Sequence, residues 1–175
     1  ACVQHNQLVE DGDMIATLKI IPYSVTGDAI AAVQAAAGDD AVVEFHPLTA
    51  RPFALIQTRV DGMNPAILAN TEKVTKQRLN RLDCALVDSR IVAHDSAVVM
   101  AAIQQAQDNG AKAILVCGAS AISDRRDVVP TAVQRAGGTV DRIGLPADPG
   151  NLLMAARIGD VPLIGMPGCA RSLRL

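Results

Sequence analysis

KAILVCGASAISDRRDVVP runs from Lys112 to Pro130. Its first half is almost wholly apolar, as expected of a strand buried on both faces of a parallel sheet. It then changes to small residues, a serine, two arginines and an aspartate. DVVPTAVQRAGG follows and reads as a helix, with Pro130 in the tolerated first turn and Gly137-Gly138 closing it. A strand, a small-residue turn and a helix make one βα unit, and the same rhythm extends on both sides.

Upstream, FALIQTRV from Phe53 predicts a strand, TEKVTKQRLNRLD from Thr71 a helix and CALVDSRIV a strand. HDSAVVMAAIQQAQDNG predicts a helix. Val99, Ile103 and Ala106 share one face, and Gly110 stands at the end. Downstream, TVDRIGL reads as a strand, and LLMAARIGDVPLIGMPG as a hairpin turning at Gly159-Asp160. This alternation predicts an α/β fold, a three-layer α/β/α arrangement around a mainly parallel sheet. No internal repeat is visible.

The N-terminal part has another texture and is expected to form a small appendage over residues 1–48, ahead of an α/β domain over 49–175. MIATLKIIPYSV (Met14 to Val25) has the apolar density of a strand that Pro22 would end or bend. TGDAIAAVQAAAGDD predicts a short helix capped by Thr26 or Asp28 and closed by Gly38. AVVEF (Ala41 to Phe45) is a second strand candidate. HPLTARP carries two prolines and little pattern, which marks a boundary.

Bulk composition narrows the function classes. A net charge of −2 gives no electrostatic footprint for nucleic acid. Tryptophan is absent, and the aromatics are Tyr23, Phe45 and Phe53, too few for a base-stacking platform. No apolar run approaches the ~20 residues that span a bilayer, and no cleavable leader is visible. Cys2, Cys84, Cys117 and Cys169 are scattered with no CxxC pair, so a zinc knuckle or dithiol motif is excluded. They read as small buried or half-buried residues in a reducing, cytoplasmic compartment. The chain starts on Ala1, as a processed or excised piece would.

In open α/β sheets ligands sit outside the carboxyl ends of the strands. Two loops qualify here, the one after KAILV and the one after CALVDSRIV. Gly118, Ala119 and Ser120 would let backbone N–H groups approach an anion. Arg125 and Arg126 would add bidentate positive charge. The plainer alternative is a strand-to-helix turn with solvated arginines. Neither GxxxxGK[ST] nor GxGxxG is present. Asp95 and Asp127 each precede a predicted helix, where an N-cap is worth about 1 kcal/mol. A remaining carboxylate oxygen could hold Mg²⁺ beside a phosphate or orient an attacking hydroxyl. His94 reads as a polar loop residue, with proton carrier as the alternative. Late in the chain, Pro149-Gly150 and Pro167-Gly168 flank the hairpin, and Arg171 and Ser172 follow the second turn as candidate anion binders. Ordinary turn chemistry is the competing reading.

Together, CGASAISDRRDVVP, IVAHDSAVV and DPGNLLMAARIGDVPLIGMPGCARS resemble the molybdopterin-binding domain of molybdenum-cofactor biosynthesis proteins. That family includes molybdopterin adenylyltransferases and the central domain of molybdopterin molybdenumtransferases. The resemblance covers Phe53 to the C-terminus. It implies a domain that holds molybdopterin or the molybdenum cofactor by its phosphate, with Gly118, Ser120, Asp127, Pro167 and Gly168 on motif positions and Asp95 on the acidic helix start. In the adenylyltransferases the two helix-start aspartates serve phosphoryl chemistry with ATP and Mg²⁺, so Asp95 and Asp127 become the candidate catalytic and metal residues. The pattern is most similar to the variant fused ahead of a molybdenum-cofactor nucleotidyltransferase, which implies a fused or separate transferase partner and a homo-oligomer.

The chain departs from that pattern at several points. Cys117 replaces the first glycine of a Gly-Gly pair, and the loop before Asp127 is longer. Asp148 and Asn151 stand where basic residues are common, and Cys169-Ala170 replaces Asn-Pro. These changes favour a binding module over an adenylylating or molybdate-inserting enzyme. A structural or oligomerisation domain without ligand is the third alternative.

Overall fold

A computed structural model describes residues 2–17, 19, 21–38 and 43–172. The chain divides into two compact units, Ala1–His46 and Pro47–Leu175.

In the first unit, helix α1 spans Gly27–Ala37. Thr26 caps it by accepting from the Ala29 amide at 3.3 Å, and Gly38 ends it at φ 64°. None of its residues is buried. The strand expected over Met14–Val25 does not form among the described residues of that stretch. An apolar run becomes a strand only when a neighbour takes its backbone groups and one face is covered. Here Met14, Ile21, Tyr23 and Val25 are all exposed. Ala41 and Val42 of the second strand candidate lie outside the described residues, and Val43–Phe45 is not a strand. Cys2 is exposed, contrary to its expected burial, whereas Cys84 and Cys117 are buried and Cys169 is intermediate.

The second unit is built on a six-stranded sheet, β1 Pro52–Arg59, β2 Ala85–Ala93, β3 Ala113–Cys117, β4 Thr139–Ile143, β5 Met154–Ile158 and β6 Val161–Met166. The strand order is β2-β1-β3-β6-β5-β4. The β2-β1-β3-β6 side is parallel, and β5 runs antiparallel to both β6 and β4. Interior position explains the sequence texture. Ala54 to Thr58 of β1 and all of β3 are buried, whereas the edge strand β2 alternates between exposed and half-buried side chains.

Helices α2 Pro65–Asn80, α3 Ser96–Asp108 and α4 Val128–Arg135 cover the sheet. Helix α2 starts six residues before the predicted Thr71 start. Asn64 accepts from the Ala66 amide at 2.9 Å and Pro65 occupies the first turn, so the start signal lies within a Gly-Met-Asn-Pro segment that reads as loop. Helices α3 and α4 share one face. Val99, Ala102, Ile103 and Ala106 of α3 and Val129, Ala132 and Val133 of α4 join Ile56, Ile114, Val116 and Leu163 in the main core. Each fully buried aliphatic side chain there contributes roughly 1.5–3 kcal/mol of transfer free energy. The opposite face carries a smaller cluster of Leu55, Leu115 and Cys117. No described helix is long and apolar enough to cross a membrane.

This topology positions the candidate site. Because β1, β2, β3 and β6 are parallel, Arg59, Ala93, Cys117 and Met166 all end on one edge of the sheet. The loops leaving those residues share that edge. The β4–β5 loop with Pro149-Gly150 is there too, three strand spacings from β3, or about 14 Å.

Candidate functional site at the carboxyl edge

Strand β1 ends between β2 and β3, and its buried Thr58 reaches into both neighbouring loops. The Ala119 amide donates to Thr58 Oγ1 at 2.6 Å. Thr58 Oγ1 lies 2.8 Å from His94 Nδ1, and His94 Nε2 lies 3.0 Å from Ser120 Oγ. The His94 amide also donates to the Arg59 carbonyl at 3.0 Å. His94 is thus more than a solvated loop residue: it ties the start of the β3–α4 loop to the end of β2. Sequence reading passed over Thr58, which looks like any strand residue, and only the register placing it beside Val92 and next to the Gln57–Cys117 pair brings these loops together.

Gly118 allows the turn to close. A Cβ built there would lie 2.7 Å from the Ser120 carbonyl oxygen, closer than real Cβ atoms approach backbone. Ser120 is consequently exposed at the edge, with its backbone folded over Gly118.

The two helix-start aspartates behave differently. Asp95 Oδ1 accepts from the Ala97 and Val98 amides at 2.8 and 3.1 Å, an ordinary N-cap. Asp127 occupies the N-cap position of α4 but makes no side-chain cap bond. Its Oδ2 turns back to the Ser123 and Asp124 amides at 2.7 and 2.9 Å. This corrects the capping reading for Asp127. The Asp124 amide and then the Ser123 amide hold its carboxyl below the usual carboxylate range, with a smaller contribution from the Ser123 hydroxyl. Asp95 Oδ2 and Asp127 Oδ1 have no partner among the described residues. No group of three or more His, Cys, Asp or Glu side chains able to hold a metal occurs among those residues.

The cations also divide. Arg125 donates to the Val140 carbonyl at 3.3 Å, and the Arg126 guanidinium has no partner among the described residues. Both are exposed. Arg171, a candidate anion binder, instead points inward and donates to the Gly118 carbonyl at 2.8 Å and to Thr71 Oγ1 at 3.1 Å. Arg78 of α2 donates to the Ala170 and Ser172 carbonyls. Pro167-Gly168 opens the short 3-10 turn Gly168–Arg171 that these two arginines fasten to α2. Beneath them, burial pushes the Cys117 thiol up to about 11, with Arg171 and Arg78 pulling partly against it. That sulfur is therefore a neutral packing group and not a nucleophile.

Two further features escaped the sequence. An open cavity of about 380 Å³ beside the β1–α2 loop is lined by Arg59, Asp61, Met63, Leu68 and Ile91, among others. Fully buried Gln57 donates to the Leu68 carbonyl at 3.1 Å, and its Oε1 has no partner among the described residues. The first signal was readable in VDGMNP, a loop long enough to wall a cavity; the second had none.

No family model matches the sequence, and no curated protein does. Solved structures do share the fold. The molybdopterin biosynthesis enzyme MoaB of Thermus thermophilus is 16% identical with a TM-score of 0.53, over 69% of this chain and 83% of its own. CinA of Thermoplasma acidophilum, a protein of unknown function, is 10% identical with a TM-score of 0.52, over 70% and 90%. The molybdopterin biosynthesis MoeA protein of Pyrococcus horikoshii matches 68% of this chain at 17% identity and a TM-score of 0.43, and the chain spans 30% of that protein's length. At these identities the likeness is one of fold.

Proposed function

We propose that the α/β domain over residues 49–175 binds molybdopterin, or the molybdenum cofactor made from it, with the phosphate end in the loops at the carboxyl edge. The observation that carries this reading is the Gly118–Ser120 turn. It excludes a side chain at Gly118, exposes the Ser120 hydroxyl and stands on the same loop as the exposed Arg125 and Arg126. Small residues and fixed cations on one loop suit a phosphate. The fold likeness to MoaB supports the ligand class. Arg126 and Ser120 are the anion contacts, and Pro167, Gly168 and Ser172 form the neighbouring wall. In this reading the chain works in the cytoplasm as a homo-oligomer that presents the pterin to a nucleotidyltransferase, fused or separate. Residues 1–48 form its appendage.

A catalytic reading is favoured by one observation. Asp95 and Asp127 each commit one oxygen to protein N–H groups and keep the other unpaired among the described residues. Two carboxylate oxygens plus substrate phosphates are what a Mg²⁺ site of the ATP-using kind requires. This chain's part would be to hold the ion and orient the phosphates for adenylyl transfer or molybdate insertion.

Calorimetric titration with molybdopterin, with and without Mg²⁺ and ATP, tests both readings. Saturable binding that disappears in Ser120→Ala and Arg126→Ala supports the binding site. Turnover that disappears in Asp127→Asn, with pterin binding retained, supports the enzyme. A folded protein that binds no molybdopterin overturns both and leaves the structural, oligomer-forming role.

A further inference from the structure

The Thr58–His94–Ser120 contacts form a chain of hydrogen bonds whose direction can be derived. Thr58 is fully buried. Its oxygen already accepts the Ala119 N–H at 2.6 Å. Its single proton needs an acceptor, because a buried unpaired hydroxyl proton carries the full desolvation cost. Among the described residues the one partner left is His94 Nδ1, at 2.8 Å. Thr58 therefore donates to Nδ1, and the neutral imidazole carries its proton on Nε2. The tautomer is assigned from the network. Nε2–H then donates to Ser120 Oγ at 3.0 Å. With an N–H aimed at its oxygen, the Ser120 hydroxyl has its own proton left to give, and Ser120 is exposed.

We propose that Thr58 and His94 are positioning residues that fix the Ser120 hydroxyl as an outward hydrogen-bond donor, so that this turn takes a phosphoryl oxygen and rejects a group that can only donate. Every link from the Ala119 amide to Ser120 points the same way. Aligned hydrogen bonds polarise one another, which strengthens the last donor. The same direction excludes His94 as a base toward Ser120. Accepting the Ser120 proton at Nε2 would require the proton to be on Nδ1, facing a Thr58 hydroxyl whose own proton would then be stranded in the core. The phosphoryl preference rests on the anion site argued above, whereas the direction of the chain rests on the contacts alone.

Both parts can be tested on the full chain. Nitrogen-15 spectra of ring-labelled histidine, with His94→Gln identifying the resonance, report the tautomer directly. The expected result at neutral pH is a protonated Nε2 and a bare Nδ1. In Thr58→Val the tautomers should mix, and Thr58→Ser should restore the single form. Titration with inorganic phosphate should show affinity reduced roughly tenfold in Ser120→Ala and in Thr58→Val, the size expected for one hydrogen bond to a charged group, and recovered in Thr58→Ser. A merely structural Thr58 would change the melting temperature and leave the tautomer where it was. An Nδ1–H tautomer, or unchanged phosphate affinity in Thr58→Val, overturns the positioning inference while the anion site stands. A bare Nδ1 in a wild-type protein that binds no phosphate overturns the anion site and the phosphoryl preference together.

Discussion

The loops after β2 and β3 place an aspartate at the same point, the residue before a helix, and use it in opposite ways. The first loop is only His94 and Asp95. Asp95 has no loop of its own to hold, so its carboxylate turns forward onto the amides of α3. The second runs from Gly118 to Asp127, and Asp127 turns back onto the amides of Ser123 and Asp124. Loop length therefore decides what a helix-start aspartate does. The short loop also lends His94 to the long one. The result is a long loop fastened at its start by Thr58 and His94, at its end by Asp127, and from behind by Arg171 on the Gly118 carbonyl. Holding a loop in place before the ligand arrives reduces the ordering cost of binding.

The largest expected effect comes from breaking the turn itself. Gly118→Val places a branched side chain where even a Cβ would lie 2.7 Å from the Ser120 carbonyl. The backbone must move, and the Ala119–Thr58 and His94–Ser120 contacts move with it. Overpacking of this kind costs about 1–3 kcal/mol, read from urea unfolding. Molybdopterin binding should be lost altogether. Wild-type stability and binding in this variant would mean that the long loop is not built on close approach.

Asp127→Asn comes next and carries a pH signature. The Asp127 carboxyl titrates below its ordinary range when folded, so the folded state favours its ionised form. Its stabilisation is fully present above the unfolded-state value and is lost as pH falls through the lowered one. At neutral pH the variant should unfold with a deficit of about 1 kcal/mol, a charge-assisted hydrogen bond reduced by the solvent that screens this carboxylate. That deficit should begin to shrink as pH falls below the unfolded-state value of about 3.9, and it should close only below the lowered folded-state value, where wild type and variant both carry a neutral group. A deficit that persists in acid would show the loss to be one of packing. Asp95→Ala should cost about 1 kcal/mol as an ordinary N-cap does, and hydrogen exchange should show the loosening confined to the first turn of α3. If Asp95→Ala instead released the β3–α4 loop, the contrast between the two aspartates would fail.

Which features were legible follows from how far apart their determinants lie. The β5–β6 turn at Gly159-Asp160 and the Val99, Ile103, Ala106 stripe are written within a few residues, and the structure has them where the periodicity puts them. Met14–Val25 has strand texture, but strand formation needs a neighbour that no local pattern specifies. Asn64-Pro65 starts α2 inside a segment whose glycine and proline read as loop. At the site, Gly118, Ser120 and Asp127 were legible as types at suggestive positions. The direction Asp127 faces was not, because Ser123 and Asp124 compete with α4 for the same oxygens. Arg171 looked like a free cation because Thr71 and Gly118, its partners, stand 100 and 53 residues away. His94 meets Ser120 across 26 residues, through the pairing of three strands.

Arg126→Ala should have the smallest effect on stability and the cleanest effect on binding. Its guanidinium is exposed and has no partner among the described residues, so the folded state loses no contact when it is removed. Surface substitutions of this kind change stability by less than about 0.5 kcal/mol. Arg171 lies near the same turn with the same charge, but its donors are committed to Gly118 and Thr71, and its removal would disturb the loop that it holds. Comparing the two separates charge offered to a ligand from charge spent on the fold. If Arg126 contacts the phosphate, its removal should weaken phosphate binding and flatten the salt dependence of the wild type, because an exposed cation acts over a Debye length of only about 10 Å at 0.1 M salt. The melting temperature should stay put. Equal binding and an equal salt slope in Arg126→Ala and wild type would remove Arg126 from the site, and Arg125, whose guanidinium donates to Val140, would be the next cation on that loop to test.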